Sequence, residues 1–271
     1  MEKWEAYQRF LAQNRPKTAA GVEVYDLGEG PAIVFLHGLL GDGSGWWQQL
    51  EFFKKRFRVL APTYPEAEDL KDLAKRLIAA LDELGVDRFA VVGSSLGGYL
   101  AQYLTAAYPK RVAAAVFANT FPPNEELERR YRPLVALARA LPELLVKGAF
   151  YYHLVRVIVP AGDKDPLLFR YLAENIKRFD KRTLFSRYRA VVTPFAPKEP
   201  RVPHLIVEST NDPVIPESLR ATLRATYPRA EIYSFAGGGH FPYLNRGDDY
   251  NRMLAAFFSS GGREARPPSR R

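Results

Sequence analysis

The sequence predicts an α/β protein in which helices flank a mostly parallel central sheet. Two observations lead to this fold class. Short continuous apolar runs, typical of strands buried on both faces, alternate along the chain with longer segments of helical periodicity. That alternation is typical of βαβ units. The 271 residues suffice for one large core, and we expect a single domain over residues 1–262.

Six apolar runs qualify as strands. They are Ala32–Leu36, Arg58–Ala61, Phe89–Val92, Val112–Phe117, His204–Val207 and the short run Glu231–Phe235. Between the second and third, apolar residues from Leu70 to Leu84 recur at helical spacing, and Gly85 supplies a left-handed C-cap. Further helices are predicted near Ser95, near Pro216 and over about 248–259.

Residues 120–200 interrupt this alternation. The segment begins with Pro122 and Pro123, and closely spaced prolines from Pro194 onward end it. The leucines between 134 and 145 indicate helices with no strand among them. A helical insertion between two strands is typical of a lid.

Composition excludes several kinds of site. The chain has no cysteine, which removes disulfides, thiol nucleophiles and thiolate metal ligands. No stretch of 18 or more residues is apolar throughout, so we predict no membrane span. Residues 1–20 lack the apolar core of a signal peptide. We therefore expect a cytoplasmic protein, and no metal or cofactor is predicted.

The formal net charge of +9 lies mainly in two segments. Residues 121–199 contain 15 Lys and Arg against 9 Asp and Glu, and residues 263–271 contain four arginines against one glutamate. We expect residues 263–271 to form a disordered tail. No nucleic-acid-binding motif accompanies the charge, so nucleic acid is not an expected partner.

The basic lid leaves two alternatives open. Its charge steers anionic substrates, an acidic partner or a membrane surface toward the protein, or it only keeps the surface soluble. The candidates for a steering role are Arg129, Arg130, Arg132, Arg178, Arg182, Arg187 and Arg189. Arginine suits that role because its guanidinium forms a fork that matches carboxylate or phosphate.

A Gly-x-Ser-x-Gly motif, Gly93–Gly97, separates the strand ending at Val92 from the helical run that follows. In this strand-turn-helix context the motif predicts a nucleophile elbow. The turn is so tight that only glycine fits two residues before and after the serine. Ser95 is therefore the predicted nucleophile, and Ser94 lacks this flanking spacing.

A serine hydroxyl needs a base, and the base needs a carboxylate to orient it. For this elbow the expected order along the chain is serine, acid, histidine. Asp212 follows the strand ending near Val207, and His240 follows both Asp212 and three consecutive glycines. We predict that Ser95, Asp212 and His240 form a catalytic triad, with Glu208 as the second choice of acid.

Acyl transfer also requires hydrogen-bond donors for the developing oxyanion. We predict the backbone N–H groups of Leu39 and Leu96, with Leu40 as the alternative to Leu39. His37 is interpreted as bracing the loop that contains Leu39. His153 and His204 are interpreted as structural.

Taken together, His37-Gly38, the elbow, the Asp212 loop and Gly239-His240 resemble the α/β-hydrolase superfamily over about residues 20–260. The resemblance implies an α/β-hydrolase fold with a helical lid. A closer resemblance is to the maspardin-like branch, through Trp46–Leu50, Ala61–Pro65, Gly93–Gln102 and Gly238–Leu244. Tyr64-Pro65-Glu66 stands where many α/β-hydrolases have Asp-x-x-Gly-x-Gly. Animal maspardins lack the histidine that stands here as His240.

The triad predicts a serine hydrolase that cleaves a small-molecule carboxylic ester, which the basic lid suggests is anionic. Amides and carbon–carbon bonds of diketones remain alternative substrates, because the fold does not separate these reactions. A cofactor-free lyase that uses the same triad is a weaker alternative function. The alternative from another class is a non-catalytic interaction protein of maspardin type, which would bind a protein partner. The sequence does not predict the oligomeric state.

Overall fold

A computed structural model describes residues 2–123 and 125–259, without the side chains of residues 125–128, 130–132 and 134. The tail predicted at 263–271 lies outside the described residues, as do the side chains of Arg130 and Arg132.

Eight strands form one sheet in the order β1-β2-β4-β3-β5-β6-β7-β8. They are β1 (Lys17–Ala19), β2 (Val22–Leu27), β3 (Ala32–Leu36), β4 (Arg58–Thr63), β5 (Phe89–Ser94), β6 (Val112–Ala118), β7 (His204–Ser209) and β8 (Glu231–Phe235). From β4 through β8 every pairing is parallel, whereas β2 runs antiparallel to both β1 and β4. The mostly parallel sheet and its six predicted strands are confirmed, whereas β1 and β2 were not predicted.

Helices flank the sheet. They are α1 (Glu2–Gln13), α2 (Trp47–Phe53), α3 (Leu70–Glu83), α4 (Leu96–Ala107), α5 (Glu125–Ala140), α6 (Glu143–His153), α7 (Val159–Ala161), α8 (Pro166–Arg178), α9 (Lys181–Val192), α10 (Glu217–Thr226), α11 (Pro242–Asn245) and α12 (Gly247–Ser259). A π-helical turn over Leu154–Ile158 joins α6 to α7.

Helix α3 shows how local sequence sets the ends of these elements. Asp69 caps its N-terminus by accepting a hydrogen bond from the Asp72 N–H. Gly85 lies at φ +68°, and the Val86 N–H then donates to the Leu81 carbonyl at 2.8 Å. The predicted left-handed C-cap at Gly85 is therefore confirmed.

The sheet is buried on both faces. Successive strand residues point to opposite sides, and an apolar cluster covers each side. Phe35, Val92 and Val116 belong to one apolar cluster. Their chain neighbours Val34 and Val91 belong to the other. This is why the strands appear in the sequence as continuous apolar runs rather than as an alternation of polar and apolar residues.

Between β6 and β7 the described chain forms helices α5 to α9 and no strand. We call residues 125–192 the lid. Helix α9 packs against α3 and α4, and helix α8 packs against α1 and α6. The lid is thus attached to the main body through α8 and α9.

The segment Glu143–Ala161 is one continuous helix, which runs through α6, the π-helical turn and α7. By length and composition alone it passes as a membrane span, with a mean hydropathy of 1.3, and only 17% of that stretch is buried. The prediction of no span relied on unbroken apolar runs, and Lys147 and Arg156 interrupt this one.

Candidate active site

Ser95 occupies the turn between β5 and α4, where its backbone lies at φ +58° and ψ −120°. Its N–H donates to the Ala118 carbonyl at 3.0 Å, which fixes this strained conformation. A Cβ on Gly93 would lie 2.0 Å from the Gly97 carbonyl oxygen, and one on Gly97 would lie 2.0 Å from that of Leu36. Both glycines are therefore required for the turn, and the structure has the geometry expected of a nucleophile elbow.

Asp212 and His240 form a buried hydrogen-bonded pair. Nδ1 of His240 lies 3.0 and 2.9 Å from the two carboxylate oxygens of Asp212. An ionised carboxylate only accepts, so Nδ1 carries the proton and Nε2 is left as an acceptor. The Val214 and Ile215 N–H groups donate to Oδ1 of Asp212 at 2.8 and 3.1 Å, and this fixes the carboxylate.

The carboxyl group of Asp212 is held in its ionised form. Burial by itself raises the pKa of this carboxyl. The His240 ring, the Asn119 amide and the Val214 N–H outweigh burial, and the pKa of Asp212 lies below its ordinary value. The acid is therefore a carboxylate at neutral pH, which is the form that can orient a histidine and stabilise its positive charge.

Two residues that directly follow β6 connect Ser95 to this pair. Nδ2 of Asn119 donates to Oδ2 of Asp212 at 3.0 Å and to the Gly239 carbonyl at 3.3 Å. The Thr120 hydroxyl donates to the Ser95 carbonyl at 2.7 Å. Within the described part of the chain, the Ser95 hydroxyl forms no hydrogen bond with His240. Asn119 was not among the predicted site residues, and its position directly after a buried strand was the available signal.

The loop from His37 to Gly41 lies directly beside the serine. A Cβ on Gly38 would lie 3.2 Å from Cβ of Ser95 and 3.7 Å from its Oγ. The Gly38 carbonyl interacts with Nδ1 of His37 at 2.7 Å and accepts the Gly41 N–H at 3.2 Å. Because the C=O and N–H of a trans peptide point in opposite directions, the Leu39 N–H points away from both of these groups.

The second predicted oxyanion donor is Leu96, the first residue of α4. At that position the N–H has no partner within the helix, and the positive end of the helix dipole adds to it. Leu96 follows Ser95 directly in the chain, and Gly38, the residue before Leu39, lies beside the Ser95 side chain.

His37 is fully buried and supports the loop. Its Nε2 accepts the Tyr64 N–H at 3.2 Å, its ring stacks on Tyr64 at 3.7 Å, and the Tyr64 hydroxyl donates to its carbonyl at 2.8 Å. Burial and the charge of Arg187 lower the pKa of His37 well below its ordinary value. A neutral ring with both nitrogens engaged agrees with the predicted bracing role.

Arg187 reaches the same loop from lid helix α9. Its Nη1 donates to the carbonyls of Leu39 at 2.8 Å and of Gly41 at 2.9 Å, and only 7% of the residue is exposed. Its guanidinium lies over the Tyr64 ring at 5.9 Å. Among the described residues no carboxylate forms an ion pair with it. Within the described residues, Arg187 is therefore the only charged side chain that donates to the loop beside Ser95.

The other steering candidates whose side chains the structure describes do not reach this loop. Arg182 forms an exposed pair with Glu66, and Arg189 donates to the carbonyls of Glu68 and Ala67. Arg178 bonds to its own helix, at Glu174 and Asn175. Arg129 is exposed. Sequence spacing gave no way to separate Arg187 from this set, because its contacts are some 148 residues away along the chain.

The remaining candidates have other partners. Glu208, the second choice of acid, accepts from Arg224 at 2.7 Å and from Ser234 at 2.9 Å. His204 contacts Val202 and Glu199, which fits a structural role, and His153 is exposed. In the described ranges, no group of three or more His, Cys, Asp or Glu side chains is placed to hold a metal ion.

A match to the alpha/beta hydrolase family covers residues 33–253. The chain belongs to the α/β-hydrolase family. The comparison supports the fold class predicted from the sequence, and it establishes the family without fixing the branch within it.

Three known proteins illustrate the similarity. The RutD protein of Serratia proteamaculans, provisionally named a carbamate hydrolase, is 26% identical over an alignment of 244 positions that covers 83% of this chain and 89% of that protein. The enol-lactonase from Burkholderia xenovorans LB400 has a TM-score of 0.74 at 19% identity, covering 90% of this chain and 99% of that chain. Est816, described as an N-acyl homoserine lactone degrading enzyme, has a TM-score of 0.74 at 24% identity with the same coverage. At these identities the solved structures show a common fold only.

Proposed function

We propose that this α/β-hydrolase is a serine hydrolase that cleaves small-molecule carboxylic esters through an acyl-enzyme. The observation that supports this most directly is the buried Asp212–His240 pair, in which both carboxylate oxygens are engaged and the histidine presents Nε2. The strained backbone of Ser95 and the adjacent Gly38 loop support the assignment of Ser95 as the nucleophile and of Leu39 and Leu96 as the oxyanion donors.

In the proposed reaction the Ser95 hydroxyl attacks the ester carbonyl while Nε2 of His240 takes its proton. The N–H groups of Leu39 and Leu96 stabilise the oxyanion of the tetrahedral intermediate. Collapse of the intermediate expels the alcohol, which receives the proton from His240. Water then attacks the acyl-enzyme, His240 again acting as base, and releases the acid and free Ser95. Asp212 stabilises the imidazolium in both steps.

The choice of an ester rests on chemistry that the known proteins share. Carbamates, enol-lactones and acyl homoserine lactones, which the names of the similar proteins mention, all have a carbonyl carbon bonded to a leaving heteroatom. An ester needs the least activation of the leaving group among the open alternatives, whereas an amide or a diketone requires more. The family by itself does not fix the substrate.

A substrate panel tests the proposal. Purified protein should hydrolyse p-nitrophenyl acetate with a burst of nitrophenolate, and a panel of matched ester, lactone, carbamate and anilide substrates should be ranked by kcat/KM. Ser95→Ala and His240→Ala should each lower kcat by about 10³-fold or more. A carbamate or lactone that outperforms the open-chain ester would replace the substrate class.

The alternative from the sequence, an interaction protein of maspardin type, gives the opposite result. A correctly folded protein with no turnover on any member of the panel would reject the hydrolase and favour that alternative.

A further inference from the structure

The lid helix Glu143–Ala161 has two apolar faces. Val146, Leu154 and Ile158 are buried where the helix packs on α8. A second face is exposed, with Leu144 at 79% and Tyr152 at 64% of their full accessible surface. We call this exposed set the lid stripe: Leu144, Leu145, Tyr151, Tyr152 and Val155.

The lid stripe is continuous along the helix. Leu144, Tyr151 and Val155 are separated by seven and four residues, and Leu145 and Tyr152 form the adjacent row, so all five share one face. Gly148 lies between them, and a Cβ there would have no atom within 4 Å. Single exposed leucines are ordinary in soluble proteins, but a contiguous apolar face of this kind indicates an interaction surface.

Positive charge accompanies the lid stripe. Glu143 is the only carboxylate on this helix, and Lys147 pairs with it at 2.8 Å. Arg156 lies over the Tyr152 ring at 5.9 Å, and no carboxylate in the described residues forms an ion pair with it. Across residues 125–192 the lid has 14 Lys and Arg against 8 Asp and Glu. An apolar face with basic neighbours is complementary to a surface that has anionic groups on the outside and an apolar layer beneath them.

We propose that the lid stripe docks on the surface of an anionic lipid bilayer, with the helix lying in the plane of the interface. Leucines enter the acyl boundary, tyrosines lie at headgroup level, and the cations meet lipid phosphates. The helix does not span the bilayer in this arrangement, because Val146 and Leu154 hold its other face on the protein. A second copy fits less well, since a two-fold contact would bring the basic surplus of both lids together.

Docking would also place the candidate active site near the lipid. The Ala161 carbonyl, at the end of the helix, accepts from Nδ2 of Asn211 at 2.9 Å. Oδ1 of Asn211 accepts the Gly239 N–H at 2.9 Å, so one side chain ties the lid helix to the residues before Asp212 and His240. Docking itself requires no catalysis. A candidate active site near the lipid would take lipid-soluble esters, and only this corollary rests on the proposed function.

Sedimentation with lipid vesicles tests the proposal. The full-length protein is mixed at low and high salt with vesicles of phosphatidylcholine alone or of phosphatidylcholine with phosphatidylglycerol. We expect sedimentation with the phosphatidylglycerol vesicles and a decrease at high salt. The double variant Leu144→Ser, Tyr152→Ser should bind these vesicles at least about tenfold more weakly, since it removes two of the largest apolar groups from the interface.

The control is a double variant that removes two exposed apolar side chains outside the lid stripe. Phe52 on α2 and Ile232 on β8 are exposed at 48% and 44%, and Phe52→Ser, Ile232→Ser should bind vesicles as the parent protein does. Unfolding curves establish that both double variants are folded. Ser95→Ala should also bind unchanged, which separates failure of docking from failure of catalysis.

Three results would overturn the docking proposal. The first is no sedimentation with either vesicle. The second is an equal loss of vesicle binding in the lid-stripe and control variants. The third is a dimer in analytical ultracentrifugation that the lid-stripe variant dissociates, because a second copy would then be the group that covers this face.

Discussion

Replacing Arg187 with methionine should slow the chemical step in a protein that still folds. Arg187 is not placed to touch a substrate in the proposed mechanism. It positions the oxyanion loop by donating to the Leu39 and Gly41 carbonyls. Methionine retains most of the apolar stem and removes both hydrogen bonds, so the loop loses its fixed position beside Ser95.

The magnitude follows from these contacts. A hydrogen bond from a charged donor contributes about 1.5–3 kcal/mol, and two are lost. Removing a buried guanidinium that has no carboxylate partner offsets part of this loss. We therefore expect the free energy of unfolding to fall by about 2–3 kcal/mol. Complete loss of one oxyanion donor lowers kcat by about 10²–10³-fold. A displaced loop should give a decrease of about 10- to 100-fold.

The assay is steady-state hydrolysis of p-nitrophenyl acetate together with chemical unfolding. Since the oxyanion exists only in the transition state and the intermediate, kcat should fall while KM changes little. Arg189→Met, at an exposed position of the same helix, is the control. Arg189 lies on the same helix and also donates to two carbonyls, those of Glu68 and Ala67, but these are outside the oxyanion loop. That variant should lose stability and keep its kcat. Equal kcat values in the two variants would refute the positioning role of Arg187.

Three further predictions concern the acid, the loop histidine and the elbow. Asp212→Asn should lower kcat by about 10³–10⁴-fold, whereas Glu208→Gln should change it less than about tenfold; the reverse order would reassign the acid. Because burial lowers the pKa of His37, the unfolded chain gains a proton there below about pH 6.5 that the folded protein does not bind, and folding loses stability as pH falls. The difference in unfolding free energy between the parent and His37→Gln should therefore narrow by up to about 1.4 kcal/mol per pH unit on acidification, and a constant difference from about pH 7.5 to 5.5 would contradict this. Gly97→Ala should yield little folded protein because its Cβ meets the Leu36 carbonyl at 2.0 Å, while Gly148→Ala should fold and gain up to about 1 kcal/mol, both read from soluble yield and unfolding curves.

Patterns that are local in the chain predicted most of the sheet. Strands buried on both faces produce continuous apolar runs, and for that reason Ala32–Leu36 and Phe89–Val92 were recognisable. The elbow was recognisable because steric crowding forces glycine at 93 and 97. By contrast, β1 is three residues long and β2 alternates only in part, which leaves a weak signal.

Contacts between distant segments were not predictable in the same way. Arg187 is one of many lid arginines, and only the packing of α9 brings it to the loop at Leu39. Asn119 acts through the side-by-side placement of β6 and β7, which places its amide on Asp212. The exposed face of the lid helix shares its periodicity with the buried face, so hydropathy alone does not tell the two apart.

The central claim is that Ser95 is an activated nucleophile, and intact-protein mass spectrometry after treatment with a fluorophosphonate probe tests it most directly. The reagent labels a serine that has both a base and an oxyanion site. We predict one adduct per chain, mapped by peptide analysis to Ser95, absent from Ser95→Ala and much slower to form in His240→Ala. A folded parent protein that acquires no adduct, or acquires it on another residue, would contradict the assignment of Ser95, Asp212 and His240 as a catalytic triad.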